Sequence, residues 1–219
     1  MLQKYEKNCI FATLFYKMVL LVGRGLGLHQ LCRVLKQIIM VRKLDTEEII
    51  RISTDEFKQA KKIPLVMVLD NVRSMHNIGS VFRTSDAYLV EKVVLCGITA
   101  QPPHPEIHKS ALGAEFSVDW EYYADTNEAV EALKREGYEV WAIELAENSV
   151  MLQDFDFDGE GEGEHRIAVV MGNEVKGVQQ SVIDQCKGCI ELPQFGTKHS
   201  LNVSVTAGIV IWEMFKKLY

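Results

Sequence analysis

The chain has 219 residues, 47% hydrophobic and 25% charged, with a formal net charge of −6. That suffices for one α/β domain with a full core, or one domain plus a short appendage, and excludes two large domains. Five cysteines, Cys9, Cys32, Cys96, Cys186 and Cys189, form an odd and sparse set that does not suit a disulfide framework and fits a reducing, cytoplasmic setting. The charge is uneven: residues 1–39 carry six Lys/Arg and one Glu, and the remainder carries 18 Lys/Arg and 29 Asp/Glu. An acidic body argues against indiscriminate phosphate binding, but affinity for RNA depends on local basic groups and not on the whole-chain sum.

Residues 1–39 read as an atypical extension. The apolar run 10–22 is broken by Lys17 and is too short to span a bilayer, so no membrane partner is expected. Gly23-Arg24-Gly25-Leu26-Gly27 lacks the GxGxxG spacing of a dinucleotide loop. Met40 opens a segment that reads as a natural amino terminus, with 40–63 a helical segment ahead of the main domain at 64–219. Within it, Ile49, Ile50, Ile52 and Phe57 among charges predict one amphipathic helix over 46–62, with Asp45 or Thr46 as N-cap.

From Pro64 onward apolar runs alternate with helical patterns. Strands are expected at 65–69, 93–96, 117–122, 139–145, 167–171 and 188–192, and helices at 77–89, 126–136 and 201–217. In the last helix Leu201, Val205, Ile209, Trp212 and Phe215 mark the apolar face. Uninterrupted apolar strands suit coverage on both faces, which gives an α/β fold with a mostly parallel sheet and helices on either side. The acidic, glycine-rich stretch 158–164 is a solvated loop without EF-hand spacing. Cys186-Lys187-Gly188-Cys189 is a lone CxxC with no second ligand pair, so no metal is expected.

Three segments place glycine and polar residues where a strand gives way to a turn: Asn77-Ile78-Gly79-Ser80-Val81-Phe82-Arg83, Gly172-Asn173-Glu174-Val175-Lys176-Gly177, and Leu192-Pro193-Gln194-Phe195-Gly196 leading to Ser200-Leu201-Asn202-Val203-Ser204. Read alone, Asn77 or Ser200 is a helix N-cap, Asn202 a first-turn residue, Arg83 a surface ion pair and the second segment a plain turn. Arg73, His76, Arg83, Lys109, Lys176, Lys198 and His199 fall in or beside these segments, and Lys109 reads as ordinary surface charge.

In this order and spacing the three segments resemble the motifs of the SpoU/TrmH-type RNA 2′-O-ribose methyltransferases of the SPOUT superfamily, over about Pro64 to Tyr219. The resemblance implies a carboxy-terminal trefoil knot threaded by about 167–204, a homodimer with each donor pocket at the subunit interface, and S-adenosylmethionine as cofactor. It assigns catalysis to Asn77, Arg83, Glu174, Ser200 and Asn202. It assigns the donor pocket to Gly172, Glu174, Gly177, Leu192, Leu201 and Asn202, with Ile143 at its edge, and RNA contacts to Arg73, His76, Arg83, Lys176 and Lys198. A guanidinium is effectively always protonated, so Arg83 is expected to grip phosphate and stabilise charge on the 2′ oxygen. With no separate amino-terminal RNA-binding domain in the sequence, tRNA is favoured over rRNA. The competing reading is a catalytically silent RNA-binding or ribosome-assembly protein on the same fold.

Overall fold

The computed structural model describes residues 42–157, 165–198 and 200–219. The expectations for residues 1–39, Met40, the 158–164 loop and His199 lie outside them. The chain divides between Arg51 and Ile52. Of the first unit, the described part holds a 3-10 turn at Thr46–Glu48, ahead of which Arg42 donates two hydrogen bonds to Glu48 at 2.8 and 2.5 Å.

The single helix expected over 46–62 does not form. Helix α1 is only Thr54–Gln59, and its N-cap is Ser53, whose hydroxyl accepts from the Glu56 N–H while the Glu56 carboxylate accepts from the Ser53 N–H. This reciprocal capping box stops the helix from extending backwards, and the β-branched Ile49, Ile50 and Ile52 do little to oppose it.

The second unit is built on seven parallel strands, β1 Ile63–Asp70, β2 Val90–Cys96, β3 Asp119–Tyr123, β4 Glu139–Ile143, β5 Val150–Met151, β6 Ile167–Met171 and β7 Gly188–Glu191, in the order β3-β2-β1-β6-β4-β7-β5. β1 is buried along its whole length because both faces are covered. Leu65, Met67 and Leu69 point to one layer with Val93, Leu95 and Val169, packed under α2 (Met75–Ala87), α3 (Pro105–Ala111) and α7 (Val203–Leu218). Val66, Val68, Val94, Ala168 and Val170 point to the other, against α5 (Thr126–Arg135) and α6 (Gln180–Ile183). Each fully buried side chain of this kind stabilises the fold by roughly 1.5–3 kcal/mol.

The short elements α3, α4 (Ala114–Ser117), α6 and β5 were not anticipated, since two to seven residues hold too little periodicity to register. The face of α7 is a correction. Ala207, Val210, Ile211 and Met214 are buried, whereas Val205, Ile209 and Trp212 are 51%, 41% and 46% exposed. The helix is apolar nearly all round, so its periodicity could not select the core side. Phe215 is partly buried and meets Tyr88, which also meets Trp212. Among the described residues no helix is long and apolar enough to cross a membrane.

Gly79 is required by packing. A Cβ built on it would lie 2.2 Å from the Ser110 Oγ, 2.3 Å from the Ile107 carbonyl oxygen and 2.9 Å from the Ala111 nitrogen. Two of those obstacles are backbone of α3, so relaxation means moving a helix. Gly79→Ala is therefore expected to destabilise by about 1–3 kcal/mol despite the roughly 1 kcal/mol that alanine gains in a free helix, read as a lower midpoint in thermal unfolding.

Candidate active site

The carboxyl ends of β4, β6 and β7 open onto a cleft of about 930 Å³. In a doubly covered parallel sheet this edge is where ligands are expected, beyond the strand ends at a reversal of strand order. Its walls are three returning loops: 143–148 after β4, 171–178 after β6, and 191–201 after β7.

The segment after β1 is shaped by an unusual residue. Asn71 has φ 55°, and its side-chain oxygen accepts from the Ile98 N–H at 3.2 Å while its amide donates to Asp70 Oδ1 at 2.8 Å. The chain turns there and enters α2 with Ser74 as N-cap, its hydroxyl accepting from the Asn77 N–H. Asn77 is thus not the cap but a residue of the first turn, 7% exposed.

What fills the helix entrance is Glu174. Its carboxylate accepts from the Arg73 N–H at 2.9 Å, the Ser74 N–H at 3.0 Å and Asn77 Nδ2 at 3.0 Å. Asn77 Oδ1 in turn accepts from Asn202 Nδ2 at 3.1 Å. Asn202 Oδ1 caps α7, accepting from the Ser204 and Val205 N–H groups at 2.9 and 3.3 Å. Asn202, not Ser200, is the N-cap of α7, which corrects the reading of Ser200 as a cap. One chain of polar contacts, Glu174 to Asn77 to Asn202, therefore joins all three segments. The amide of Asn77 donates to one neighbour and accepts from the other, so only one orientation satisfies both. Burial opposes charge on Glu174, yet the bonds donated by Arg73, Ser74 and Asn77 outweigh it, and the carboxyl ionises below its ordinary range.

The 172–177 loop is held by its ends. Asn173 and Gly177 exchange backbone hydrogen bonds at 3.1 and 2.9 Å, and Asn173 Oδ1 accepts from the Val175 and Lys176 N–H groups. Gly172 meets the crossing backbone so closely that a Cβ would lie 2.3 Å from both the Gly177 carbonyl carbon and the Val178 nitrogen.

Ile143, Gly172, Glu174, Gly177, Leu192, Leu201, Ser200 and Lys176 all line the cleft; Asn77 and Asn202 are not among its lining residues and connect to it through Glu174. Arg73 borders a shallower depression with Ser74 and Glu174. Lys198 is exposed on the 191–201 loop. His76 is exposed, 3.9 Å from Glu106. Lys109 pairs with Glu106 at 2.6 Å, as ordinary surface charge. Arg83 is exposed on α2, is not part of the cleft lining, and has no ion-pair partner among the described residues. The surface ion pair considered for it is thus not found among those residues.

Sequence reasoning missed two supports. Glu144 accepts from the Val178 and Leu145 N–H groups at 2.9 and 3.0 Å, and Asn173 Nδ2 donates to the Asn71 carbonyl at 2.7 Å. Glu144 lies in no marked pattern, and Asn173, although inside the second segment, carries no spacing that points to Asn71. Ser74, by contrast, stands just ahead of the α2 residues as a cap should, and that signal was available. Cys186 is a free thiol pushed up to about 12 by burial, and Cys189 is raised by the same cause, so neither is poised to react. Among the described residues no cluster could hold a metal ion.

Because the pKa of Glu174 is depressed, its contribution is complete above the unfolded glutamate value of about 4.3 and is lost as pH falls through the folded value. Glu174→Gln turns an amide toward N–H donors and is expected to cost about 1–3 kcal/mol at pH 7. Thermal unfolding of both proteins from pH 7 to pH 3 should show a gap that narrows with acid; a gap independent of pH would show that the charge is not what holds the loop.

Residues 64–212 match the model of the SpoU rRNA Methylase family. A protein of Staphylococcus saprophyticus assigned to the TrmH family of tRNA/rRNA methyltransferases is 29% identical over 160 residues, covering 73% of this chain and 61% of the relative. One of Staphylococcus haemolyticus, assigned likewise, is 30% identical over 167 residues, covering 74% and 64%. The chain thus spans less than two thirds of the length of these relatives. Among solved structures, the AdoMet-bound rRNA methyltransferase of Sinorhizobium meliloti superposes with a TM-score of 0.65 at 25% identity, over 74% of this chain and 60% of that one. The A. aeolicus TrmH/SpoU tRNA modifying enzyme superposes with a TM-score of 0.64 over 75% and 81%, at an identity of 23% that shows the fold alone. With its α/β fold, its three segments and more than half its length matched, the chain belongs to the SpoU/TrmH family of RNA methyltransferases.

Proposed function

We propose that this chain is an S-adenosylmethionine-dependent methyltransferase that modifies a ribose 2′-hydroxyl in RNA, with tRNA the first substrate to test, and that it works as a homodimer. The observation that carries the reading is the Glu174–Asn77–Asn202 chain at the rim of the cleft, which couples the segment after β1 to the loop after β6 and to the start of α7. The cleft fits the donor in size, within the roughly 300–1,000 Å³ of small-molecule sites. It fits in chemistry too: Ile143, Leu192 and Leu201 offer apolar wall, and Glu144, Glu147 and Glu191 set negative charge around a place for a sulfonium cation. When bound, the donor supplies an electrophilic methyl group.

The remaining work belongs to the protein and is mostly positioning. Ser200 at the cleft and the amides of Asn77 and Asn202 would hold the ribose hydroxyl in line. Arg83 would grip a neighbouring phosphate and stabilise charge developing on the 2′ oxygen, with the proton passing to water or phosphate. Arg73, His76, Lys176 and Lys198 would supply further phosphate contacts, their exposure supporting that role. Arg83 lies outside the lining of its own cleft, and the exposed Val205, Ile209 and Trp212 on α7 offer a second copy an apolar face; both support a dimer with each pocket at the subunit interface. A trefoil knot threaded by 167–204 is part of the same reading, supported by the insertion of β6 between β1 and β4.

Calorimetry is expected to detect S-adenosylmethionine or its demethylated product binding to the folded protein; no binding of either sinks the enzyme reading. Mapping of ribose methylation in RNA from cells with and without the protein then names the site. In single-turnover assays Arg83→Ala should retain donor affinity and lose methyl transfer by orders of magnitude, with Arg83→Lys recovering part, since a point charge cannot replace a planar bidentate grip. Trp212→Glu should convert a sedimenting dimer to monomer.

A further inference from the structure

The loop between β7 and α7 is anchored at both ends, by the buried Leu192 and by Asn202 capping α7. Between those anchors stands Phe195, 97% exposed, the most exposed large hydrophobic side chain among the described residues. Its neighbour Gln194 lines the cleft and so does Ser200, but Phe195 does not, and its ring packs against no other aromatic ring among the described residues. A ligand inside the cleft therefore does not account for it, and neither does the core. Lys198 lies three residues further along the same loop, and Lys176 lies on the loop across the cleft. Both are exposed, and neither has an ion-pair partner among the described residues. A bare ring on a loop that also carries an unpaired lysine offers what a single-stranded nucleic acid needs, a π-face for a base and positive charge for its backbone. Unpaired lysines on two of the loops that wall the cleft favour a polyanion over a second copy of this acidic chain.

We infer that Phe195 is a stacking platform for a nucleobase of the RNA next to the nucleotide whose ribose enters the cleft. The inference rests on the reading of RNA as substrate. Because the ring is exposed, its removal should leave the fold intact, so the test is free of the usual ambiguity. Direct titration of fluorescently labelled, unfractionated tRNA is expected to show Phe195→Ala weakening affinity roughly 5- to 150-fold. Phe195→Trp should restore it and Phe195→Leu should not, because leucine keeps apolar bulk without a π-face. Donor affinity, thermal midpoint and sedimentation should be unchanged in all three. Unaltered RNA affinity in the alanine variant overturns the proposal, as does rescue by leucine equal to that by tryptophan, or a change in sedimentation, which would make the ring a subunit contact. Since affinity is read directly, a wild-type protein that binds RNA through Phe195 but transfers no methyl group refutes the enzyme reading and leaves the stacking role supported.

Discussion

Glu174 presents a single carboxylate to three N–H donors on the segment after β1, 100 residues away at Ser74, and the candidate site depends on that contact. A partly buried charge is costly unless hydrogen-bonded, and here two of the donors are backbone N–H groups at the entrance to a helix and the third is the Asn77 side-chain amide. The carboxylate and the helix start each satisfy what the other lacks. The result is geometric: Asn77 is turned so that its amide bridges to Asn202, and α7 is capped by the same residue that completes the bridge.

That contact is possible because the surrounding backbone comes unusually close. Gly172 passes the Gly177–Val178 peptide with no room for a side chain, and Gly177 takes φ 66° beside the Glu144 carboxylate. Below them Asp70 is fully buried and accepts from Thr126 Oγ1 at 2.5 Å, from Asn71 Nδ2 at 2.8 Å and from the Gln179 amide. The carboxyl ends of β1 and β6 are therefore tied to each other by side chains as well as by the sheet, so the cleft wall is held where a loop alone would drift.

Charge and apolar surface are distributed to the same end. The chain is acidic overall and Glu144, Glu147 and Glu191 are among the residues lining the cleft, yet Arg73, Lys176 and Lys198 are exposed on the segments around it. Apolar surface left outside the core includes one face of α7, at Val205, Ile209 and Trp212, and Phe195 on the loop before it, and the core gives no reason for either. These features are what a cleft shared among a cationic small molecule, a polyanion and a second subunit would require.

The strands were legible from the chain because a parallel sheet covered on both faces demands uninterrupted apolar runs, and 65–69 and 167–171 are such runs. The three polar segments were legible too, because glycine and amide residues at strand ends are rare in that order, and the family match spans them. Packing decided the rest. Ser53 with Glu56 ended a helix that hydrophobic spacing would have extended, since a local hydrogen bond outweighs a weak periodicity. Helix α7 carries apolar residues well beyond one face, so only the position of the sheet determined that Ala207, Val210, Ile211 and Met214 face inward. The partners of Glu174, Glu144 and Asn173 come from strands and loops far apart in the chain, and no spacing along a sequence encodes which distant backbone N–H a carboxylate will meet. Sequence by itself determined every strand but the two-residue β5, the motifs and the family; the tertiary structure alone decided which motif residues touch, because contacts between segments follow from the strand order β1-β6-β4-β7 and not from the order of the chain.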